Sequence, residues 1–212
     1  MYIAFEGIEG SGKSVQIKLL KEFFSSIKVD FIVTKEPGST KIGEKIREIL
    51  LSSEFKEIST LTELFLYFSD RAQHYKEIIK PNYRKKIIIS DRSMYSTVAY
   101  QGYGRGIDLR LLNYLNDITT EKIYPDIVIL LDCPVELGIK RALMREKDLK
   151  NARFELEDKD FHEKVRKGYL ELAKLNNWII VDSTFNEMEV FEKIKEFLMK
   201  NYEKDIRNFT KK

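Results

Sequence analysis

Five apolar runs of strand length alternate with segments of helical periodicity along this chain. Such alternation predicts an α/β fold, a five-stranded, mainly parallel sheet with helices on both faces. A second observation fixes where the fold begins. Gly7-Ile8-Glu9-Gly10-Ser11-Gly12-Lys13-Ser14 fits the phosphate-loop pattern G-x-x-x-x-G-K-[ST], placed between the first strand and the first helix. Third, polar segments recur at the carboxyl ends of the apolar runs, where open parallel sheets bind ligands.

Tyr2–Phe5 reads as the first strand. Residues 13–26 follow as a helix with Ile17, Leu20 and Phe24 on one face, flanked by Leu19 and Phe23. Phe31–Thr34 is a second strand, stopped at Pro37-Gly38. Helices are predicted over 41–51 and about 58–80, the second ending at Pro81. Ile87-Ile88-Ile89 is a buried-strand run closing at Ser90-Asp91. A helix over about 109–122 stops before Pro125, and Asp126–Asp132 encloses a further buried strand. Pro134 opens the next helix. A charged stretch, 145–160, leads into a helix to about 175; Trp178–Val181 is the last strand and 186–204 the last helix.

The chain has 212 residues, 43% hydrophobic and a third charged, which suits one domain, 1–212, with a real core and room for a small lid. Its net charge of +3 is nearly balanced, and basic residues are interspersed with acidic ones, so no nucleic-acid partner is expected. The densest basic run, Arg84-Lys85-Lys86, reads as a solvent-facing turn. Cys133 is the only cysteine, which excludes an internal disulfide and points to a reducing, cytoplasmic setting. His74 and His162 offer no metal-ligand spacing. Neither a signal peptide nor a membrane span is expected.

The loop's N–H groups and the helix N-terminus favour anions. Lys13 can reach the β- and γ-phosphates of a triphosphate, and the Ser14 hydroxyl can ligate Mg²⁺. Asp91 stands where a Walker-B-type aspartate holds the metal directly or through water; an ordinary strand-end turn residue is the other reading. Glu9 brings another carboxylate to the same region, toward metal, Lys13 or an acceptor's sugar. A GTPase would need an Asn/Thr-Lys-x-Asp clamp and a D-x-x-G switch, and neither occurs. Lys35-Glu36-Pro37-Gly38, Asp91-Arg92 and Asp182-Ser183 fall at other strand ends.

The segment Ile89-Ser90-Asp91-Arg92-Ser93-Met94-Tyr95-Ser96-Thr97-Val98-Ala99-Tyr100-Gln101 resembles the signature of the thymidylate kinase family. Glu36-Pro37-Gly38-Ser39-Thr40, Asp70-Arg71-Ala72-Gln73-His74 and Gly102-x-Gly104-Arg105-Gly106 match the same family. The resemblance spans nearly the whole chain. It implies transfer of the γ-phosphoryl of ATP to dTMP, giving ADP and dTDP on the way to dTTP, with Mg²⁺ and in a homodimer.

Particular residues then acquire expected roles. Tyr67 and Arg71 share a helix face, an aromatic plane beside a guanidinium fork that suits a pyrimidine. The competing reading puts Tyr67 in a core stripe with Leu64, Phe65, Phe68 and Ala72. The family usually has Phe where this chain has Tyr67. Arg92 is expected to bridge the acceptor phosphate and the transferring phosphoryl. Lys35 is expected to assist at the acceptor phosphate or by its charge, where the family more often has Arg, and Glu36 and Pro37 are expected among the dTMP-binding residues. Thr97 is expected at the thymine edge, with Gln101 beside it, and Tyr100 at the sugar's 2′ position. Ser39 replaces a usual Gly and is expected to affect only loop freedom.

The resemblance also implies a lid, about 141–156, that closes over ATP. One subgroup carries its catalytic arginine in the phosphate loop and the other in the lid; Gly10 at the loop position assigns this chain to the second. Arg153-Phe154-Glu155 best matches the lid sequence, with Arg145 second; Ala152 stands where Asp is common. Arg141 falls on the ATP side. The alternatives are a kinase of the same fold acting on another nucleoside monophosphate or a deoxynucleoside, and a non-catalytic ATP-binding switch.

Overall fold

The computed structural model describes residues 1–145 and 153–211. Strands β1 (Tyr2–Glu6), β2 (Phe31–Lys35), β3 (Ile87–Asp91), β4 (Ile127–Asp132) and β5 (Ile179–Asp182) form one sheet in the order β2-β3-β1-β4-β5. Every pairing in it is parallel. Helix α1 (Lys13–Ser26) follows β1, and α2 (Lys41–Leu51) and α3 (Thr60–His74) follow β2. Between β3 and β4 come α5 (Met94–Thr97) and α6 (Leu109–Thr120), after a short α4 (Lys80–Asn82) that precedes β3. Helices α7 (Val135–Arg145) and α8 (Lys159–Leu175) lie between β4 and β5, and α9 (Glu187–Arg207) ends the fold.

The sheet sorts its side chains by alternation. Ile3, Phe5, Ile87, Ile89, Ile127, Ile129 and Leu131 pack against Ile17, Leu20 and Phe24 of α1 and against Phe191, Ile194 and Leu198 of α9. Tyr2, Ala4, Ile88 and Val128 face the other way, onto Tyr75 and Ile79. Farther along that face, Leu130 joins Phe161, Val165 and Tyr169 of α8. Central β1 is buried on both faces, which is why it reads as an unbroken apolar run.

Two helical predictions need correction. The segment expected to end at Pro81 continues from α3 through a π-helical turn (Tyr75–Ile79) into α4. Pro81 follows directly on that π-helical turn, and its missing N–H leaves the helix to end one residue later, at Asn82. The apolar stripe proposed on α3 is also split: Leu64 and Phe68 are buried, whereas Phe65 and Ala72 are exposed. Over 94–104, to which the sequence assigns no element, α5 continues as a π-helical segment (Val98–Gly104). Arg84-Lys85-Lys86 lies in a turn, with Arg84 and Lys85 exposed.

Helix α7 touches the phosphate loop backbone to backbone. Gly10 has a φ of 67°, and a Cβ built on it would lie 1.9 Å from the Gly138 carbonyl oxygen. A Cβ on Gly138 would lie 2.6 Å from the Glu9 carbonyl oxygen and 2.9 Å from Ile8 Cδ1. The two glycines therefore let a helix rest on a loop with no side chain between them. Gly138→Ala is expected to cost about 1–3 kcal/mol, as overpacking against unyielding backbone does. Thermal unfolding measures this, and a wild-type Tm would refute the close contact.

Candidate active site

A cavity of about 780 Å³ opens at the carboxyl ends of β1, β2 and β3. The phosphate loop, Lys35–Gly38, Asp91 and Arg92, and the Tyr67 face of α3 all line it. These are three of the four strand-end segments singled out above. The fourth, Asp182-Ser183, lies outside the lining, but Arg141 Nη1 donates to the Ser183 carbonyl at 2.9 Å.

Lys13 is buried, with its ammonium donating to the carbonyls of Gly7 at 3.0 Å and Ile8 at 2.9 Å. Burial, reinforced by nearby Arg92, pulls its pKa down to about 8. Ser14 Oγ donates to Asp91 Oδ2 at 3.3 Å, so the two residues expected at the metal do meet.

Arg92 is the hub. It follows directly on β3 with a φ of 71°, a left-handed conformation that costs a non-glycine residue energy. Ser90 Oγ donates to its carbonyl at 2.6 Å and its own N–H donates to Phe5 at 2.9 Å, which holds that conformation. Nη2 donates to Glu9 Oε1 at 2.9 Å and to the Tyr100 hydroxyl at 3.0 Å. Nη1 donates to the Gly7 carbonyl at 3.1 Å and the Tyr169 hydroxyl at 3.0 Å. Burial alone would lower its pKa, but Tyr100, Tyr169, Glu9 and Glu6 hold it well above the usual value. Burial likewise pushes Glu9 up, and Arg92 and Lys13 outweigh it, keeping Glu9 below the ordinary carboxylate range.

Behind Arg92 stands Glu6, fully buried at the end of β1. Its carboxylate accepts from Ser93 N at 2.8 Å, Ser93 Oγ at 2.7 Å, Ser96 Oγ at 2.6 Å and the Tyr169 hydroxyl at 2.9 Å. Burial raises its pKa despite the nearby Arg92. Sequence reading gave no role to Glu6, Ser96 or Tyr169. An acidic residue closing an otherwise apolar strand, beside a phosphate loop, was the available signal for Glu6.

On the opposite wall a buried polar chain fixes Arg71. Thr34 Oγ1 and His74 Nε2 lie 2.6 Å apart, and His74 Nδ1 is 3.1 Å from Glu36 Oε1. Glu36 Oε2 accepts from Arg71 Nε at 2.9 Å. Arg71 Nη1 donates to Asn116 Oδ1 at 3.0 Å and Nη2 to Thr97 Oγ1 at 2.7 Å. The Thr97 hydroxyl accepts here and keeps its own proton to donate. Asn116, on α6, is a further residue that sequence reading missed. Asp70 Oδ1 accepts from Gly38 N at 3.0 Å; burial, helped by Glu36, pushes this carboxyl up to about 6. Ser39 does more than alter loop freedom, because its hydroxyl accepts from Lys35 N and donates to Lys35 O, both at 2.8 Å.

Tyr67 is half-buried, packs against Phe154 with ring centroids 6.4 Å apart, and lines the cavity. Gln101 lines it too, with its amide donating to Glu63 Oε1 at 2.8 Å. Arg47 of α2, also missed, joins the lining and donates to the Pro37 carbonyl at 2.9 Å.

The lid residues depart most from expectation. The structure does not bring Arg153 to the phosphate loop. Its Nη1 donates to Glu63 Oε2 at 2.6 Å, its Nε donates to the Leu50 carbonyl at 2.6 Å, and its guanidinium lies 4.4 Å from the Phe154 ring centre. A buried carboxylate needs a cation, and Glu63 takes Arg153 together with Arg105. Phe154 and Glu155 line the cavity in its place. Arg145 closes α7, and its side chain and Ala152 lie outside the described residues.

Known proteins resemble this chain over nearly its whole length. The family model described as thymidylate kinase matches residues 5–194. A thymidylate kinase of Maridesulfovibrio salexigens is 47% identical, covering 92% of this chain and 93% of its own. One from Kosmotoga olearia is 41% identical over 94% and 96% of the two chains. The crystal structure of thymidylate kinase from Ehrlichia chaffeensis superposes with a TM-score of 0.76 at 32% identity, covering 93% of this chain and 98% of that one. The family model and these relatives match along nearly the whole chain: it belongs to the thymidylate kinase family.

Proposed function

We propose that the protein transfers the γ-phosphoryl of ATP to dTMP, giving ADP and dTDP. The observation that carries this reading is the position of Arg92. Its guanidinium contacts the phosphate loop at Gly7 and Glu9 and also Tyr100 of the acceptor wall, so one cation spans both halves of the cavity. The acceptor is already an anionic phosphate, so no strong general base is required. Catalysis is positioning and charge neutralisation by Lys13, Arg92 and a lid arginine.

The loop from Gly7 to Ser14 takes the triphosphate, and Arg141 stands on the ATP side near the end of β5. Tyr67 offers the thymine a face, and Arg71 and Thr97 offer its edge donors. Tyr100 crowds the sugar, Glu9 takes its hydroxyl, Lys35 assists at the acceptor phosphate, and Glu36 and Pro37 complete the dTMP side, with Gln101 beside the base. Ser14 and Asp91 supply hard oxygen donors that suit Mg²⁺, a cation that fills its other positions with water and phosphate. Bound there, Mg²⁺ would neutralise phosphate charge.

An ADP-release assay over dTMP, dUMP, UMP, CMP, AMP and thymidine tests the reaction. dTMP is the expected best acceptor; no dTMP activity beside good turnover of another acceptor would sink the reading. Arg92→Ala is expected to lower turnover on dTMP by roughly 10²-fold or more with the fold intact by circular dichroism. The lid closes over ATP and excludes water. To serve there Arg153 must exchange Glu63 for phosphate. Arg153→Ala is accordingly expected to reduce turnover more than Arg145→Ala, and the opposite order would move the role to Arg145.

Residues 1–212 form, in this reading, a single domain with its lid at about 141–156, working in the cytoplasm as a homodimer without nucleic acid or membrane. No helix among the described residues is long and apolar enough to cross a membrane. A dimer interface has an apolar face available on adjacent helices: Ile42 of α2, Leu61 and Phe65 of α3, and Leu111, Tyr114 and Ile118 of α6 are all exposed. Light scattering should give twice the chain mass, and Phe65→Glu with Tyr114→Glu should halve it. A monomeric wild type would refute the assembly.

A further inference from the structure

Glu9 uses only one of its carboxylate oxygens in the network around Arg92. Oε1 accepts from the Tyr100 hydroxyl at 2.6 Å and from Arg92 Nη2 at 2.9 Å. Oε2 is buried and accepts no hydrogen bond among the described residues. Facing it at 3.7 Å is Nδ1 of His162, just beyond hydrogen-bond range. His162 is fully buried in the first turn of α8, and neither ring nitrogen has a hydrogen-bond partner among the described residues. Buried polar groups left unpaired cost on the order of 1–3 kcal/mol each. Two of them facing one another at the centre of a site call for a reason.

The helix sets the imidazole's place. Asp158 caps α8 by accepting from Phe161 N at 2.7 Å, which fixes the turn carrying His162. One turn on, Val165 packs into the core, and Tyr169 reaches Arg92 and Glu6 with its hydroxyl. Helix α8 thus closes the rear of the Arg92 network while the cavity lies in front. Only a small rotation of the carboxylate separates Nδ1 from Oε2.

The geometry points to His162 as a positioning residue for phosphoryl transfer. Its Nδ1–H donates to Glu9 Oε2 and pins the carboxylate from behind. Oε1 then stays aimed at Arg92 and Tyr100, the groups that meet the acceptor. The role rests on the dTMP kinase reading, and it acts through Glu9 rather than by touching substrate.

Steady-state kinetics of His162→Leu, His162→Asn and His162→Gln test it, with dTMP and ATP varied separately. His162→Leu should lower kcat/KM for dTMP by roughly tenfold or more while KM for ATP stays at the wild-type value. His162→Asn carries an amide N–H near the Nδ1 position and should recover most of the loss. His162→Gln carries it near Nε2 and should not. In a Glu9→Gln background, His162→Leu should add little further loss. Equal behaviour of Asn and Gln, parallel changes in both KM values, or full additivity with Glu9→Gln would each overturn the role. Should His162→Leu fail to fold, the Asn–Gln comparison still decides. A wild type inactive on dTMP would instead overturn the functional reading and, with it, this role; an active wild type with indistinguishable Asn and Gln variants would overturn the positioning role alone.

Discussion

Arg92 carries a full charge into the buried space between the phosphate loop, β3 and α8, and the site is organised around keeping that charge paired. An unpaired guanidinium there would cost several kcal/mol. The protein meets the requirement from three parts of the chain: the phosphate loop with the Gly7 carbonyl and Glu9 carboxylate, the Tyr100 hydroxyl and the Tyr169 hydroxyl. Each partner is itself held. Glu6 fixes Ser93, Ser96 and Tyr169, and the strained backbone at Arg92 is tied to Phe5 and Ser90. The left-handed conformation lifts the side chain out of the strand line and turns it across the loop. In doing so it makes one residue the bridge between the donor and acceptor halves of the cavity.

The donor half has a different constraint. Helix α7 rests on the phosphate loop through the Gly10–Gly138 contact, at a separation that admits no side chain. Gly10 was read as the residue that sends the catalytic charge to the lid. The packing supplies a steric reason for its identity in this chain: an arginine at position 10 would collide with α7. The helix leading to the lid is therefore seated on the loop that holds the phosphates. The charge expected in the lid has a seat as well, because Arg153 neutralises Glu63 beside Arg105.

The acceptor wall is rigid for an electrostatic reason. Arg71 is buried, and its fork is spread over Glu36, Asn116 and Thr97, with His74 and Thr34 completing the chain behind Glu36. A polar network in which every arm of the fork has an acceptor holds a guanidinium in one orientation before any base arrives. Tyr67, half-buried against Phe154, adds the apolar plane.

Residues whose role depends on near neighbours were legible in the sequence. The strand–loop–helix at Gly7–Ser14, the apolar runs of the sheet, Asp91 and Arg92 at a strand end, and the shared face of Tyr67 and Arg71 all depend on short-range spacing. Missed residues have partners far away along the chain: Glu6 with Tyr169, Asn116 with Arg71, Glu9 with His162. The helix runs one residue beyond Pro81, because a proline near a helix's end removes a single backbone bond. The Arg153–Glu63 pair was not legible either, because a motif records order along the chain and not which carboxylate on another helix a side chain meets. By itself, then, the sequence determined the parallel α/β layout and the identity of the phosphate loop, since both follow from local periodicity and backbone chemistry. The tertiary structure alone decided which buried charges meet and which side chains fit, because burial makes pairing and packing compulsory only once distant segments are in contact.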